Sequence, residues 1–357
     1  MRIALLSAAN SIHTQKIANS LCRSGHDVTL FSLPDHHDID GGYDPAVTVQ
    51  YLRLSGTVGY FANAPQLRSL LRRGSFDVLN AHYASGYGTL AGLTGFHPYV
   101  LSVWGSDVYD FPYESRVKRT LLRQNLKKAD ALLSTSHCMA RQTENFVHGK
   151  EITVTPFGVD IRAFCPRPKE DAPLTVGFVK GVSEKYGIRY LIEAFALVTE
   201  RLPDTAIRLS VYGDGDQMPE MQETVRRRGL EDRVTFFGRI PHEAVPDALR
   251  TMDIFCVPST LESFGVAAVE AMACGIPCVT SDAAGLSEVM ADGETGFIVP
   301  RCNAEALAEK IVQLAQDPEL RRKMGQQGRR RVEELYDWES NVQTIIAAYD
   351  RLLDQWK

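Results

Sequence analysis

Residues 253–277 read Asp-Ile-Phe-Cys-Val-Pro-Ser-Thr-Leu-Glu-Ser-Phe-Gly-Val-Ala-Ala-Val-Glu-Ala-Met-Ala-Cys-Gly-Ile-Pro. The four residues after Asp253 form an apolar run that is typical of a buried strand. A turn containing Gly265 follows, and the residues from there to about Cys274 predict a helix that is apolar on nearly every face. A helix of this kind belongs in a protein core. The stretch therefore predicts a buried strand–turn–helix unit of an α/β fold.

This stretch carries two acids, Glu262 in the turn and Glu270 in the helix. An isolated buried carboxylate is unfavourable, so we expect each acid to face a polar ligand. The amides of Phe264, Gly265 and Val266 lie at the helix N-terminus, where orphan donors and the helix dipole favour an anion. The alternative is a buried strand–helix unit with two incidentally capped acids.

The string Ser-Phe-Gly-x4-Glu-Ala-Met-Ala-Cys-Gly-x-Pro resembles the Glu-x7-Glu signature of the retaining glycosyltransferases of family 4, which have the GT-B fold. In that family the first acid contacts the donor sugar and the second holds the nucleotide ribose. The resemblance implies these roles for Glu262 and Glu270. It also implies donor contacts for Ser263 and for residues 264–266.

The composition is that of a globular protein with more than one core. The chain has 357 residues, 44% of them hydrophobic, which suits two domains. No apolar run reaches the roughly 20 residues that span a bilayer. The first residues are too short for a signal peptide and lead directly into a strand. Seven scattered cysteines without a framework suggest reduced thiols, so we expect a cytoplasmic protein.

The first half of the sequence alternates strands and helices, beginning with a strand at Ile3 to Leu6, and predicts a parallel sheet. The turn after that strand contains no glycine, which argues against a nicotinamide-type dinucleotide site. Ligands of open α/β sheets bind beyond the carboxyl ends of the strands. The polar residues expected at this rim are Asn10, His13, His82, Trp104, Ser106 and Asp107.

The second half repeats the alternation after a segment rich in proline and charge at residues 163–173. We expect a Rossmann-like acceptor-side domain over residues 1–165 and a Rossmann-like donor-nucleotide domain over residues 166–335. The GT-B resemblance implies that the two domains face each other across a cleft. It also implies that a helix over residues 336–357 crosses back onto the first domain.

The donor site expected from the resemblance needs cations for the diphosphate of a nucleotide-sugar. Lys180 and Lys185 have the spacing of the family's arginine and lysine. Lys180 replaces the arginine, so bidentate contact with a phosphate is lost. Gly213 matches the family's glycine turn. Arg239 and Ile240 match the segment whose backbone edges the nucleobase, uracil or another base.

We expect neither a metal ion nor a cofactor. The strings Asp38-Ile-Asp40 and Asp214-Gly-Asp216 resemble a metal clamp of another glycosyltransferase fold. Neither lies where that fold would place it, so both are interpreted as solvated turn acids. Cys274 and Cys278 have no second pair of ligands and predict no zinc site.

The resemblance implies a hexosyl transfer with retention by a front-side mechanism, from a nucleotide-sugar to a glycan or a lipid-linked glycan. Many relatives carry a histidine where this chain has Trp104, so Asp107 or His82 is the candidate for its catalytic role.

A sugar-nucleotide epimerase or hydrolase on the same fold is the alternative. A non-catalytic sugar-nucleotide-binding module is a third reading, although both glutamates and both lysines are present. Nucleic-acid binding is not expected, because basic stretches occur without interleaved aromatic residues.

Charge is unevenly distributed along the chain. Residues 1–165 hold 16 Lys/Arg against 13 Asp/Glu, whereas the whole chain has a net charge of −5. Residues 116–128 combine leucines with cations at helical spacing. This stretch is either an ordinary surface helix or a patch for anionic lipid headgroups on the inner face of a membrane.

Overall fold

The computed structural model describes residues 1–38, 41–168 and 173–356. Asp40 of one Asp-x-Asp string and residues 169–172 of the proline-rich segment lie outside the described residues. The chain forms two compact units. Unit 1 comprises Met1–Pro156 and Glu339–Lys357, and unit 2 comprises Phe157–Trp338.

Unit 1 contains a seven-stranded parallel sheet in the order β3-β2-β1-β4-β5-β6-β7. Its strands are β1 (Arg2–Leu6), β2 (Asp27–Ser32), β3 (Thr48–Tyr51), β4 (Val78–His82), β5 (Tyr99–Val103), β6 (Ala131–Ser134) and β7 (Ile152–Val154). Strands β4 and β5 are buried along their whole length, as expected for a parallel sheet covered on both faces.

The first eight helices connect these strands, and the last helix of the chain belongs to the same unit from Glu339 onward. The helices are α1 (Ile12–Arg23), α2 (Gly56–Ala62), α3 (Ala64–Gly74), α4 (Gly86–Thr94), α5 (Ser106–Tyr109), α6 (Phe111–Glu114), α7 (Arg116–Lys128), α8 (His137–Glu144) and α16 (Trp338–Asp354). Tyr349 of α16 is fully buried, and Trp356 beyond it stacks on His97 with ring centroids 5.7 Å apart. Among the described residues, no helix combines the length and the apolar content needed to cross a membrane.

Unit 2 contains a six-stranded parallel sheet in the order β10-β9-β8-β11-β12-β13. Its strands are β8 (Leu174–Val179), β9 (Ile207–Tyr212), β10 (Val234–Gly238), β11 (Ile254–Val257), β12 (Cys278–Ser281) and β13 (Gly296–Val299). Its helices are α9 (Ile188–Arg201), α10 (Met218–Arg227), α11 (Val245–Arg250), α12 (Val266–Ala273), α13 (Ala284–Val289), α14 (Ala304–Gln316) and α15 (Pro318–Leu335). One-turn 3-10 helices lie at Pro34–His36, Glu184–Tyr186 and His242–Ala244.

Both sheets reverse their strand order at one point, between β1 and β4 in unit 1 and between β8 and β11 in unit 2. The connections on either side of such a point run in opposite directions, which leaves a crevice beyond the carboxyl ends of the two strands. In unit 2, the residues that follow β8 and β11 are therefore the ones placed to bind a ligand.

The chain enters unit 2 before residue 165, the boundary expected from the sequence, because two arginines of unit 2 bind the segment that precedes it. Arg329 donates to the carbonyl oxygens of Ile161 at 3.0 Å and Phe164 at 2.6 Å. Arg250 Nε donates to the carbonyl oxygen of Cys165 at 3.0 Å. These bonds fasten the segment to helices α11 and α15.

Candidate functional site

The buried strand–turn–helix unit predicted from residues 253–277 is present as β11 and α12. Gly265 precedes the helix with φ of 111°, a conformation that favours glycine. A side chain there would also meet Leu286 Cδ2 at 2.8 Å. Within the described part of the chain, the amides of Phe264, Gly265 and Val266 donate to no acceptor, and Ser263 is half-buried beside them. The turn therefore presents unpaired donors at a helix N-terminus.

Glu262 forms an ion pair with Lys180 through its Oε2 atom. The two residues follow β11 and β8, the strands on either side of the order reversal in unit 2. Their side chains are only 12% and 16% exposed. The sequence predicted both residues but not their pairing. Because both side chains are mostly shielded from water, removing one partner would leave the other charge partly buried without its counter-ion.

Tyr186 lies near both predicted lysines. The Lys180 ammonium is 4.7 Å from the centre of its ring, and the Lys185 ammonium is 6.0 Å away. An aromatic face attracts a cation at such distances. The carbonyl oxygen of Lys185 accepts hydrogen bonds from the amide of Thr260 at 2.9 Å and its hydroxyl at 3.1 Å. Lys185 itself is exposed, so it adds positive charge near the turn that carries Glu262.

A pocket of about 510 Å³ lies beyond the carboxyl ends of β8 and β9, within the range typical of ligand sites. Four predicted residues line it, namely Lys180, Gly213, Arg239 and Ile240. Gly213 has φ of 134°, and a Cβ atom there would lie 1.9 Å from the carbonyl oxygen of Lys180. The glycine therefore allows the two strand ends to approach, and this approach shapes the pocket.

Glu270 is buried in α12, and its Oε1 atom is 3.0 Å from Nε2 of His242. The sequence analysis did not identify this histidine, because its partner lies 28 residues away on another element. The only available signal was its place directly after Arg239, Ile240 and Pro241, the predicted nucleobase segment.

An aromatic cluster lies at the carboxyl ends of β4 and β5 in unit 1. The rings of His82 and Trp104 stack with centroids 4.2 Å apart, and His13 and Tyr83 meet Trp104 edge-on at 6.1 and 5.2 Å. Burial, and then the nearby His13, lowers the pKa of His82 to about 3. Nδ1 of His82 has no hydrogen-bond partner among the described residues. His82 is therefore neutral at physiological pH.

Asp107 is completely buried and binds backbone amides. Its carboxylate accepts hydrogen bonds from the amides of Ala84 at 2.8 Å, Gly105 at 2.8 Å and Trp104 at 3.2 Å. Burial raises its pKa, and these bonds oppose the rise. The contacts indicate that Asp107 orders the two loops around Trp104. A catalytic role for Asp107 stays a prediction.

The remaining predicted rim residues lie nearer the surface. Asn10 and Ser106 are exposed, and His13 is half-buried. The amide of Asn10 donates to the carbonyl oxygen of His36 at 3.1 Å. No group of three or more His, Cys, Asp or Glu residues suited to a metal ion occurs in residues 1–38, 41–168 and 173–356. All seven cysteines are thiols rather than halves of a disulfide.

Two family models match the chain in succession. The model described as glycosyl transferase 4-like matches residues 2–136, and the model described as glycosyl transferases group 1 matches residues 163–331. The chain belongs to the glycosyltransferases, with a 4-like region followed by a group 1 region. The pocket, both lysines and both motif glutamates of this glycosyltransferase lie within the second match.

Two relatives agree with this assignment. N-acetyl-alpha-D-glucosaminyl L-malate synthase of Bacillus anthracis is 28% identical over 319 residues, covering 82% of this chain and 80% of that protein. Phosphatidyl-myo-inositol mannosyltransferase of Mycolicibacterium smegmatis is 28% identical over 357 residues, covering 95% and 89%.

Two solved structures show the same fold over nearly the whole chain. Sucrose-phosphate synthase of Thermosynechococcus elongatus matches with a TM-score of 0.82 and 21% identity, covering 99% of this chain and 100% of that chain. HepE of Anabaena in complex with UDP matches with a TM-score of 0.83 and 18% identity, covering 99% and 100%. The two Rossmann-like domains are those of the GT-B fold.

The contact between Gly213 and the Lys180 carbonyl predicts the effect of a methyl group. We expect Gly213→Ala to lower the free energy of unfolding by about 2–3 kcal/mol, because strain and a backbone clash combine. Gly229→Ala is the matched control, since Gly229 has φ of 64° but no atom within 4 Å of its added Cβ. Chemical denaturation measures both variants. Equal losses would show that the clash with Lys180 is unimportant.

The buried neutral state of His82 predicts a pH dependence of stability. Between about pH 3 and 6.5 the unfolded chain binds a proton at this histidine that the folded chain does not, so stability present above pH 6.5 is lost as the pH falls. At pH 5 the loss is about 2 kcal/mol. We expect His82→Phe, which retains a ring against Trp104, to show a correspondingly smaller loss between pH 7.5 and 5.

Denaturation of the wild type, His82→Phe and the exposed-site control His148→Phe at both pH values measures this difference. If His82→Phe and the wild type lose the same stability on acidification, His82 is not buried in the neutral form.

Proposed function

We propose that this glycosyltransferase transfers a hexosyl group from a nucleotide-sugar, a UDP-sugar in the first instance, to a glycan or lipid-linked glycan. The observation that carries the proposal is the pocket at the carboxyl ends of β8 and β9, with Lys180 in its wall. A phosphate group attracts lysine and helix N-termini alike, and both occur here. The UDP bound to HepE and the lipid named for the mannosyltransferase relative favour this donor and acceptor class.

The proposed roles rest on the family resemblance and on the positions of these residues in unit 2. Lys180, Lys185 and the amides of residues 264–266 neutralise the diphosphate as it leaves. Glu262 contacts the donor sugar, and Glu270 accepts hydrogen bonds from the ribose hydroxyls. The ammonium of Lys180 has three donors, so it is able to retain Glu262 while binding phosphate. Because these positive groups belong to the chain itself, we propose that transfer needs neither a divalent metal nor a cofactor.

The proposed reaction retains the anomeric configuration by attack from the front side. The bond from the anomeric carbon to the phosphate oxygen breaks, and a bond from the acceptor oxygen forms on the same face. The proton of the acceptor hydroxyl passes to the departing phosphate oxygen. No residue serves as a covalent nucleophile. The acceptor is proposed to bind at the rim of unit 1 that includes Asn10, His13, Trp104 and Ser106.

We expect Glu262→Gln to lower turnover by roughly 10²-fold while UDP binds at least as tightly as to the wild type, because the change removes a sugar contact and frees Lys180. Product analysis by NMR and calorimetry with UDP measure the two effects, and Glu309→Gln on the exposed surface is the control.

Three results of this assay would contradict the proposal. Steady conversion of the donor to an epimer without any acceptor would favour the alternative function, an epimerase. An inverted product would exclude the front-side mechanism. Activity lost to a chelator and restored by magnesium or manganese would exclude metal independence.

Helix α7 supports a further proposal, that the protein associates peripherally with the inner face of an anionic membrane. Leu122, Asn125 and Leu126 bury one side of the helix, whereas Arg116, Arg119, Arg123 and Lys127 are exposed on the other. Val117 beside these cations is 77% exposed. Each cation near an anionic surface contributes roughly 1 kcal/mol, screened within a Debye length.

We expect the protein to co-sediment with phosphatidylserine-containing vesicles at low salt and to be released at high salt. Charge reversal at Arg116, Arg123 and Lys127 should abolish sedimentation without changing UDP affinity. The control reverses three exposed cations of unit 2, Arg228, Lys323 and Arg330, which changes the net charge equally. A wild-type protein that stays in the supernatant at low salt would favour an acceptor in solution. Equal release of both variants would exclude α7 as the contact.

A further inference from the structure

Glu270 has a hydrogen-bond partner, His242, that has no part in the proposed roles. Its side chain is 8% exposed, and its only hydrogen-bond partner in the described part of the chain is Nε2 of His242, 3.0 Å from Oε1. An ionised carboxylate only accepts hydrogen bonds, so Nε2 of His242 carries the proton. One oxygen of Glu270 is therefore held by the protein, and the other, Oε2, accepts from no donor among the described residues.

His242 is itself held firmly in place. It begins the 3-10 turn between β10 and α11, where the amide of Ala244 donates to the carbonyl oxygen of Pro241 at 3.0 Å. Its ring lies 5.7 Å from the ring of Phe164, and its side chain is 32% exposed. Partial burial against an aromatic ring limits the rotamers of the imidazole and so fixes the direction of its N–H.

The same short segment also forms part of the pocket wall. Arg239 and Ile240 precede His242 and Val245 follows it, and all three line the pocket. A displacement of this segment therefore moves the pocket wall and the hydrogen bond to Glu270 together. His242 connects the proposed nucleobase edge to the proposed ribose acceptor.

We propose that His242 is a positioning residue for nucleoside diphosphate recognition, which orients the Glu270 carboxylate so that its free oxygen accepts from the ribose hydroxyls. The inference rests on the proposed function, because it assigns Glu270 to the ribose. It makes a narrower claim, that discrimination between ribose and deoxyribose depends on the imidazole. A histidine that only filled space would not affect this discrimination.

The experiment compares the affinities of UDP and 2′,3′-dideoxy-UDP by calorimetry. We expect the wild type to prefer UDP and Glu270→Gln to lose most of this preference. His242→Phe removes the donor but retains a ring against Phe164, and we expect it to weaken UDP binding about tenfold. Its affinity for the dideoxy nucleotide should not change. His242→Gln, whose amide donates at a similar reach, should restore part of the preference.

His242→Leu provides a second donor-free variant if the phenylalanine variant is unstable, and melting temperatures identify any variant that is misfolded. Equal weakening of both nucleotides by His242→Phe and His242→Leu would reduce His242 to a packing role and overturn the inference alone. An unchanged preference for UDP in these variants would do the same. A wild type that binds no nucleoside diphosphate would overturn the proposed function, and the inference with it.

Discussion

The buried ion pair between Lys180 and Glu262 is the constraint around which unit 2 is arranged. It joins the ends of the two neighbouring strands at which the sheet reverses its order, β8 and β11. Removing two charges from water is unfavourable unless both are paired and additionally contacted. The contacts are present, since Tyr186 lies beside the ammonium and the Ser259 hydroxyl is 3.5 Å from the carboxylate. An anionic ligand would bring a second negative charge to an ammonium whose side chain is only 16% exposed, where electrostatic attraction is stronger than in bulk water.

Close backbone contacts make this pairing possible. Gly213 approaches the Lys180 carbonyl, and Gly187 approaches the carbonyl of Pro258, at distances that exclude a Cβ atom. Gly285 similarly lies against the turn that carries Glu262. Three glycines thus allow four loops to converge at one edge of the sheet. Of these three glycines, Gly213 lines the pocket, so its close approach to Lys180 helps to shape the pocket.

Much of the architecture could be predicted from the sequence, because parallel strands buried on both faces appear as continuous apolar runs. Strands such as β5 and β11 are of this kind. The strands β3 and β7, which lie at the two edges of the unit 1 sheet, are much harder to predict from the sequence. Neither contains a fully buried residue, and β7 has only three residues, so neither produces an apolar run.

The candidate site was predictable to the same extent. The family resemblance implied donor-site roles for Lys180, Gly213, Arg239 and Ile240, and the structure brings these four into one pocket. The partners of the motif acids could not be predicted, because a hydrogen bond such as that from His242 to Glu270 depends on tertiary approach rather than on spacing. The burial of individual polar side chains could not be predicted from the sequence either. In the sequence, His82 and Asp107 have the appearance of reactive groups at strand ends. The structure shows instead that burial keeps His82 neutral and that Asp107 accepts hydrogen bonds from backbone amides.

The arginines that bind residues 161–165 determine how the chain could be divided. Arg329 also donates to the carbonyl oxygen of Ala273 at the end of α12, so a single guanidinium serves both the entry segment and the helix that carries Glu270. A fragment of unit 2 that began after residue 165 would leave this guanidinium, 17% exposed, without two of its three carbonyl partners. A disordered Arg329 would no longer hold the carbonyl oxygen of Ala273, so the end of α12 would be less well ordered although no residue of that helix had been removed. A separately produced unit 2 should therefore start at or before Phe157, so that it keeps the segment preceding its sheet.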